Sequence, residues 1–193
     1  MAATPEPIEQ FARWFAEAAA KEPEPNAMSV ATVAAGGAPS ARMILLKGVD
    51  DRGFVFYTNL DSRKAAELSE NPHVALCFHW KSLGRQVRVE GVVEAVSERE
   101  ADAYFATRPR ESQLGAWASD QSRRLASRSV LDERVAAVEK RFAHGPIPRP
   151  PHWSGYRVLP SRVEFWEAQP FRLHDRLVYV RDGNAWRSER LYP

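Results

Sequence analysis

The spacing of apolar and polar positions changes several times along the chain, and each period predicts an element. Over residues 8–20 the apolar side chains recur every three or four positions, which predicts an amphipathic helix. Two runs rich in β-branched residues then flank a Gly-Gly pair at 36–37, which predicts a hairpin within residues 28–49. The polar sequence at 50–53 predicts a second turn, and the apolar run at 54–58 a short strand.

The middle of the chain alternates between helix and strand periods. The predicted elements are a helix from Asp61 or Ser62 to about Asn71, strands over 73–80 and 85–96, and helical segments over 98–108 and 110–143. Ser97 and Glu100 have the spacing of a capping box, which marks the start of the first of these helical segments. Pro109 marks its end.

The C-terminal quarter returns to strands after a proline-rich connector at 145–151. The predicted strands cover 155–160, 162–168, 176–181 and 185–191, with a hairpin turn at Asp182-Gly183. Two β meanders thus enclose a helical insertion at about 98–143. Five or more strands joined by tight turns favour a closed antiparallel barrel over a parallel sheet. We predict one domain over residues 1–193, mainly β with peripheral helices.

Composition narrows the class of protein. The chain has 193 residues, of which 44% are hydrophobic and 27% charged, so a disordered chain is excluded. One cysteine excludes an internal disulfide and any multi-thiolate metal site. No apolar run is long enough for a membrane span, and the N-terminus lacks a signal sequence, so we expect a cytoplasmic protein without a membrane partner. Acidic residues are interleaved with the basic ones, which disfavours nucleic acid as a partner; the arginine excess also fits codon usage alone.

The predicted helix near Ser62 places two cations in its first turn. Arg63 and Lys64 lie where the helix dipole disfavours positive charge. A bound anion such as a phosphate would reverse that effect, with help from the Ser62 hydroxyl and the free backbone N–H groups. The alternative is a pair of solvated side chains on a helix capped by Asp61.

A second candidate is the sequence Arg-Leu-His-Asp-Arg at 172–176. In an extended strand Arg172, His174 and Arg176 share one face, where three cations repel one another unless anions lie between them. The opposite, core-facing set would be Phe171, Leu173 and Leu177. The alternative is an edge strand with a charged outer face.

Two further spacings are informative only together with a fold. Arg42 and Lys47 are five residues apart, so they share a site only if a bulge intervenes or Lys47 lies beyond the strand end. Tyr104, Arg108 and Ser112 recur every four residues, although a proline interrupts the helix between them.

No nucleotide-binding or metal-protease motif occurs, and the five histidines lack metal spacing, so no metal is expected. The residues alone predict a barrel that holds one or two small phosphorylated ligands.

Several segments together resemble the pyridoxamine/pyridoxine 5′-phosphate oxidase family, which are FMN enzymes with a split-barrel fold. The matching segments, in the family's order over about residues 11–193, are 42–47, 56–68, 85–91, 104–119, 121–122, 165–166 and 172–176. Members of the family are homodimers with FMN sites formed between the subunits. The resemblance therefore implies an antiparallel split β-barrel, FMN as cofactor and a homodimer.

The resemblance also implies a role for individual residues. The implied FMN contacts are Arg42, Met43, Ile44, Leu45, Leu46, Lys47, Tyr57, Thr58, Ser62, Arg63, Lys64, Gln86, Gln121, Ser122, Trp166 and Arg176. The implied substrate residues are Lys47, Tyr104, Arg108 and Ser112 at the substrate phosphate, and Arg172 and His174, the catalytic pair, near the reacting carbon.

The implied reaction is hydride transfer from C4′ of pyridoxine 5′-phosphate or pyridoxamine 5′-phosphate to flavin N5. Pyridoxal 5′-phosphate is the product, and O2 is reduced to H2O2. Two alternatives are a related FMN oxidase of another ring substrate, of the phenazine type, and a non-enzymatic module that binds FMN or pyridoxal phosphate. Many members also carry an N-terminal basic segment that folds over the substrate, and we expect this chain to lack it.

Overall fold

The computed structural model describes residues 7–193, and the expectations about the N-terminal segment concern residues outside that range. The helices within it are α1 (Pro7–Ala19), α2 (Arg63–Glu70), α3 (Glu98–Ala106), α4 (Arg110–Ala118) and α5 (Arg128–Arg141). The strands are β1 (Ala27–Val33), β2 (Pro39–Leu45), β3 (Gly48–Asp50), β4 (Gly53–Asn59), β5 (His73–Trp80), β6 (Arg85–Ala95), β7 (Trp153–Glu167), β8 (Asp175–Asp182) and β9 (Ala185–Arg190). No helix in residues 7–193 combines the length and the apolar character that a membrane crossing requires.

The strands of residues 7–193 form one antiparallel sheet in the order β2-β1-β5-β6-β7-β4-β3, and β8 and β9 continue from β7. The first half of β7 pairs with β4 and its second half with β8, while β6 runs along its other edge. Within the described range β2 and β3 are the two ends of this path and do not pair with each other. The sheet is therefore a curled half-barrel. The split barrel and the antiparallel architecture are confirmed, whereas the closed barrel that the turn spacing favoured is wrong.

One long strand replaces two that the sequence predicts. Strand β7 runs unbroken from Trp153 to Glu167, through Pro160, with which the first predicted strand ends. The register against β6 shifts between Glu90 and Gly91, because Glu90 faces Arg162 while Gly91 faces Pro160. This bulge absorbs the extra residue and the missing proline N–H.

Helix α1 covers one face of the sheet, as its apolar spacing predicts. Phe11 is buried and meets the rings of Phe54 and Phe78 at centroid distances of 4.9 and 5.0 Å. These aromatic contacts belong to the main core, which α1 closes from outside. The core fixes β4, whose far end enters the candidate site.

Helices α3, α4 and α5 lie between β6 and β7 in the chain, and α3 anchors them to the sheet. Ser97 and Glu100 form both hydrogen bonds of the predicted capping box at the start of α3. Glu100 also accepts from the buried Arg157 at 2.7 Å, and Arg157 donates to Asp50 at 2.6 Å. The chain breaks between α3 and α4 at Thr107–Pro109, as the proline predicts. These contacts set where α3 presents its inner face.

Residues 172–174 do not adopt the extended conformation that would place Arg172, His174 and Arg176 on one face. A tight turn covers Pro170–Arg172, with Phe171 and Arg172 in the left-handed region at φ 57° and 63°, and β8 begins only at Asp175. Phe171 is 92% exposed and Leu173 66% exposed, so neither faces the core. Only Leu177 of the predicted apolar set packs against the core. The alternation fails because the chain is still turning where a strand was expected.

Candidate functional site

A cavity of about 750 Å³ lies between β2, β4, the start of α2, and helices α3 and α4. Most of the residues that the sequence singles out meet there. The predicted site residues that line it are Arg42, Met43, Ile44, Leu45, Lys47, Tyr57, Thr58, Arg63, Lys64, Tyr104, Arg108, Ser112, Gln121 and Ser122. Segments far apart in sequence thus contribute to one concave surface, which is typical of a ligand site.

The start of α2 holds a buried cation with neutral partners. Ser62 caps the helix by accepting from the Ala65 N–H at 3.4 Å, so the alternative in which Asp61 caps it is wrong. Lys64 is only 8% exposed, and its Nζ donates to Thr58 Oγ1 at 2.7 Å, Gln121 Oε1 at 2.9 Å and Ser62 Oγ at 3.2 Å. Burial, with a smaller contribution from the positive charge of Arg42, lowers the pKa of Lys64 to about 8. A solvated lysine is excluded, and an anion at this helix start would compensate the charge.

Arg42 and Arg63 bring two more cations to the same end of α2. The Arg42 guanidinium on β2 donates to Thr32 Oγ1 at 2.6 Å and Ser40 Oγ at 2.5 Å, and lies 3.2 Å from the Glu67 carboxylate. Arg63 donates through Nε to the other Glu67 oxygen at 2.8 Å. The sequence analysis missed Glu67, although its position four residues after Arg63 is a readable ion-pair signal.

Lys47 reaches the cavity because it lies beyond the end of β2. Strand β2 ends at Leu45, and the Lys47 N–H donates to the Val55 carbonyl at 2.8 Å. This resolves the five-residue offset from Arg42 in favour of the strand-end alternative. Leu46, in contrast, points into the main core and does not line the cavity, so it can contact a ligand there only through its backbone.

An aromatic wall carries a cation that lacks a hydrogen-bond partner at one nitrogen. Tyr57 stacks on Tyr104 at 4.1 Å and on Trp153 at 5.4 Å between centroids. The Arg108 guanidinium lies 4.7 Å from the Trp153 ring centroid, and among the described residues its buried Nη1 has no partner. Burial lowers the pKa of Arg108. Arg108 lines the cavity, and a buried guanidinium nitrogen without a partner favours an anionic acceptor. Trp153 was not predicted, because an aromatic residue after prolines carries no specific signal.

The remaining predicted residues form a second cluster that does not line the cavity. Gln86, Trp166 and Arg176 are cross-strand neighbours on β6, β7 and β8, and the His174 ring lies 4.5 Å from the Trp166 ring. Arg176 is held by the buried Glu164 at 2.8 Å. Arg172 lies in the turn just before β8.

Strand β7 connects the two clusters and also separates them. Trp153 lies in the cavity wall at its start, and Trp166 in the second cluster near its end, thirteen positions later. At about 3.3 Å per residue, these positions lie roughly 40 Å apart along the strand. The residues of the second cluster do not line the cavity of their own chain.

Comparison with known proteins places this geometry in a family. The family profile described as "Pyridoxamine 5'-phosphate oxidase" matches residues 15–142, and "Pyridoxine 5'-phosphate oxidase C-terminal dimerisation region" matches residues 153–193. Proteins named pyridoxine/pyridoxamine 5′-phosphate oxidase from Gluconobacter oxydans and Rhodospirillum rubrum are 63% and 59% identical. Each alignment covers 97% of this chain, and 94% and 96% of the respective relative.

Solved structures agree with the sequence matches. PhzG from Burkholderia lata, solved with tetrahydrophenazine-1-carboxylic acid, superposes with a TM-score of 0.94 at 36% identity and covers all of this chain and 95% of its own. An FMN-binding protein from Nostoc punctiforme, at 17% identity, shares the fold with a TM-score of 0.78 over 99% of this chain and all of its own. The two profiles, the close relatives and the half-barrel lead to one conclusion: this chain belongs to the pyridoxamine 5′-phosphate oxidase family.

Proposed function

We propose that the protein is an FMN-dependent oxidase that converts pyridoxine 5′-phosphate or pyridoxamine 5′-phosphate to pyridoxal 5′-phosphate. The observation that carries this proposal is one cavity with two separate sets of cations. Arg42, Arg63 and Lys64 gather at the start of α2, while Arg108 lies in the connection between α3 and α4. Two phosphorylated ligands account for both sets, and the names of the close relatives supply the substrates.

The residues at the start of α2 fit the phosphate of FMN. Lys64 is buried against neutral partners only, and a helix N-terminus with a serine cap adds backbone donors to its charge. Gln121 and Ser122, the latter with a left-handed backbone at φ 70°, close the same wall. The chemistry that FMN supplies when bound is acceptance of a hydride from C4′ of the substrate, with O2 then reduced to H2O2.

The cations on the other side of the cavity fit the substrate phosphate. We assign Arg108 as its main partner, because its buried Nη1 is unpaired, with Lys47, Tyr104 and Ser112 beside it. The Tyr57–Tyr104–Trp153 stack excludes water from one side of Arg108 and strengthens its attraction for a phosphate. Arg172 and His174 orient the reacting end of the substrate.

We further propose a homodimer in which each site takes its two clusters from different copies. The course of β7 supports this, because Trp166, His174 and Arg176 lie near the strand end opposite to Trp153 and do not line their own chain's cavity. The profile over residues 153–193 is described as a dimerisation region. Met43, Leu45, Phe171 and Leu173 are exposed apolar side chains at the two clusters, as an unoccupied interface requires.

A peroxide assay tests the activity directly. FMN-loaded protein supplied with pyridoxine 5′-phosphate and oxygen should release H2O2 and pyridoxal 5′-phosphate in equal amounts. A purified protein that binds FMN, seen as a visible flavin spectrum, but turns over neither substrate would be a binding module instead, and the oxidase proposal would fail.

The second candidate function is oxidation of a phenazine-type ring. The structure of PhzG with tetrahydrophenazine-1-carboxylic acid supports it, since that protein has the same fold at 36% identity. The four residues of the proposed substrate-phosphate site favour the phosphorylated substrate. Turnover of the phenazine acid but not of pyridoxine 5′-phosphate would reverse this choice.

We expect Arg63→Ala to weaken FMN binding about 10- to 150-fold, because it removes a charge-assisted contact worth about 1.5–3 kcal/mol. Flavin fluorescence quenching measures the dissociation constant. Arg128→Ala is the matched control, since Arg128 makes the same Nε contact to a carboxylate four residues later, at 2.9 Å, on a helix outside the cavity. Equal FMN affinity in Arg63→Ala and wild type would contradict the assignment.

We expect FMN affinity to decrease as the pH rises above about 8. The pKa of Lys64 is lowered to about 8, so below that pH the lysine is already charged, and above it binding must take up a proton. The FMN dissociation constant should then rise by up to about tenfold per pH unit. Titrations between pH 7 and 9.5 test this. Lys64→Arg stays charged and should flatten the profile; an equal slope in both proteins would exclude Lys64 as its source.

A further inference from the structure

Glu67 is a buried carboxylate that joins the two arginines at the start of α2. Its Oε2 accepts from Thr32 Oγ1 at 2.5 Å and Ser40 Oγ at 2.7 Å, and lies 3.2 Å from Arg42 Nη2. Its Oε1 accepts from Arg63 Nε at 2.8 Å. Each carboxylate oxygen is therefore bound to a different arginine, one on β2 and one on α2.

The surroundings of Glu67 keep it ionised and fixed. Its side chain is 6% exposed, and a buried carboxylate is disfavoured unless donors compensate its charge. Hydrogen bonds from Thr32 and Ser40, followed by those from Arg63 and Arg42, hold the pKa of Glu67 at about 2. A group so constrained can orient its neighbours, because it has one position itself.

Arg63 needs such an anchor because its side chain is 65% exposed. A free arginine at a helix start samples many rotamers, and binding an anion would require that freedom to be lost. The bond through Nε to Glu67 fixes the guanidinium plane, and within residues 7–193 both terminal nitrogens stay free for an anion. Arg42 is fixed in the same way by Glu67, Thr32 and Ser40.

The charges at this end of α2 also match a phosphate monoester. Arg42, Arg63 and Lys64 are three cations, and Glu67 offsets one of them, which leaves a formal surplus of two. A phosphate monoester carries a charge of about −1.5 to −2 at pH 7. Without Glu67, three like charges would repel one another in the ligand-free protein and widen the site.

We propose that Glu67 is a positioning residue for the cofactor phosphate: it holds Arg42 and Arg63 in the orientation that binds the phosphate and does not touch the flavin ring. This inference rests on the FMN site proposed above. A positioning role differs from a merely structural role in what it affects. If Glu67 positions the two arginines, its replacement weakens binding of a flavin that has a phosphate and leaves binding of a flavin without one unchanged.

The experiment compares FMN with riboflavin, which has the same ring system but no phosphate. In Glu67→Gln the amide NH2 must face either the two hydroxyls or Arg63, so one of the two arginines loses its anchor. We expect the FMN dissociation constant to rise about tenfold or more, with the riboflavin constant changed less than about twofold. In an Arg63→Ala background, Glu67→Gln should raise the FMN dissociation constant by a smaller factor, because only Arg42 is then left for Glu67 to position.

The outcomes separate this inference from the proposed function. If wild-type protein binds FMN no more tightly than riboflavin, the phosphate site itself is wrong. If wild type prefers FMN and Glu67→Gln keeps the same preference, the positioning role alone is overturned. Should Glu67→Gln not fold, Thr32→Val carries the test, since it removes one hydroxyl donor to Glu67 at nearly constant volume. An unchanged FMN-to-riboflavin ratio in that variant likewise overturns the proposal.

Discussion

Arg108→Met should lower kcat/KM for pyridoxine 5′-phosphate about 30-fold to several thousand-fold, while the ligand-free protein stays at least as stable as wild type. The first effect follows from the proposed pairing of this buried charge with the substrate phosphate, whose loss is worth about 2–5 kcal/mol. The second follows because Arg108 Nη1 is buried without a partner, and burial lowers the pKa of the group. Methionine removes that unpaired donor and packs well against the neighbouring aromatic rings.

Arg110→Met is the matched control two residues away. Arg110 donates to the backbone carbonyls of Phe142 and Gly145, so it links α4 to the end of α5 and lies outside the cavity wall. Its loss should reduce the melting temperature and leave kcat/KM nearly unchanged. Steady-state kinetics and thermal unfolding of the two variants should thus give opposite patterns. A stability loss in Arg108→Met without a kinetic defect would assign Arg108 to the fold.

Mixed dimers of Arg108→Met and Arg172→Ala subunits should recover about half of wild-type turnover, although each variant alone is nearly inactive. Arg108 lines the cavity and Arg172 belongs to the second cluster. If every site draws these clusters from different copies, a mixed dimer has one site with both replacements and one site with neither. If both residues acted within one chain, each site would carry one defect and no activity would return.

Two affinity tags allow the mixed dimer to be purified away from both homodimers. The Arg172→Ala homodimer should retain its flavin spectrum, because we place Arg172 at the substrate and not at the cofactor phosphate. Flavin loss in that homodimer would exchange the roles given to Arg172 and Arg176. A mixed dimer as inactive as its parents would refute the shared site.

The sequence predicts local structure well where one short-range interaction decides it. The Ser97–Glu100 capping box, the helix start at Asp61 or Ser62 and the break at Pro109 all depend on neighbours within a few residues, and all are confirmed. The shared face considered for residues 172–176 does not form, because alternation alone does not distinguish a strand from a turn. Two left-handed residues, neither of them glycine, decide that turn, and the surrounding fold holds them there.

The candidate site was predictable in its residue types but not in its assembly. The misplaced cations at Arg63 and Lys64 indicated an anion before any fold was known. Glu67 and Trp153 were not found, because a glutamate on a helix and a tryptophan on a strand are common and become specific only through what they contact. Likewise, the single course of β7 depends on a bulge at Ser161, which is defined only by the pairing of β7 with β6 and not by a local pattern in β7.

The length of β7 has a thermodynamic consequence for a protein assembled in this way. Because the strand carries the two clusters near its opposite ends and the proposed site takes them from different copies, cofactor retention would be coupled to subunit association by mass action. Flavin should tighten the dimer by the same factor by which dimerisation tightens flavin binding. Dilution alone would then release the cofactor, and the cell's concentration of the protein would set its degree of loading.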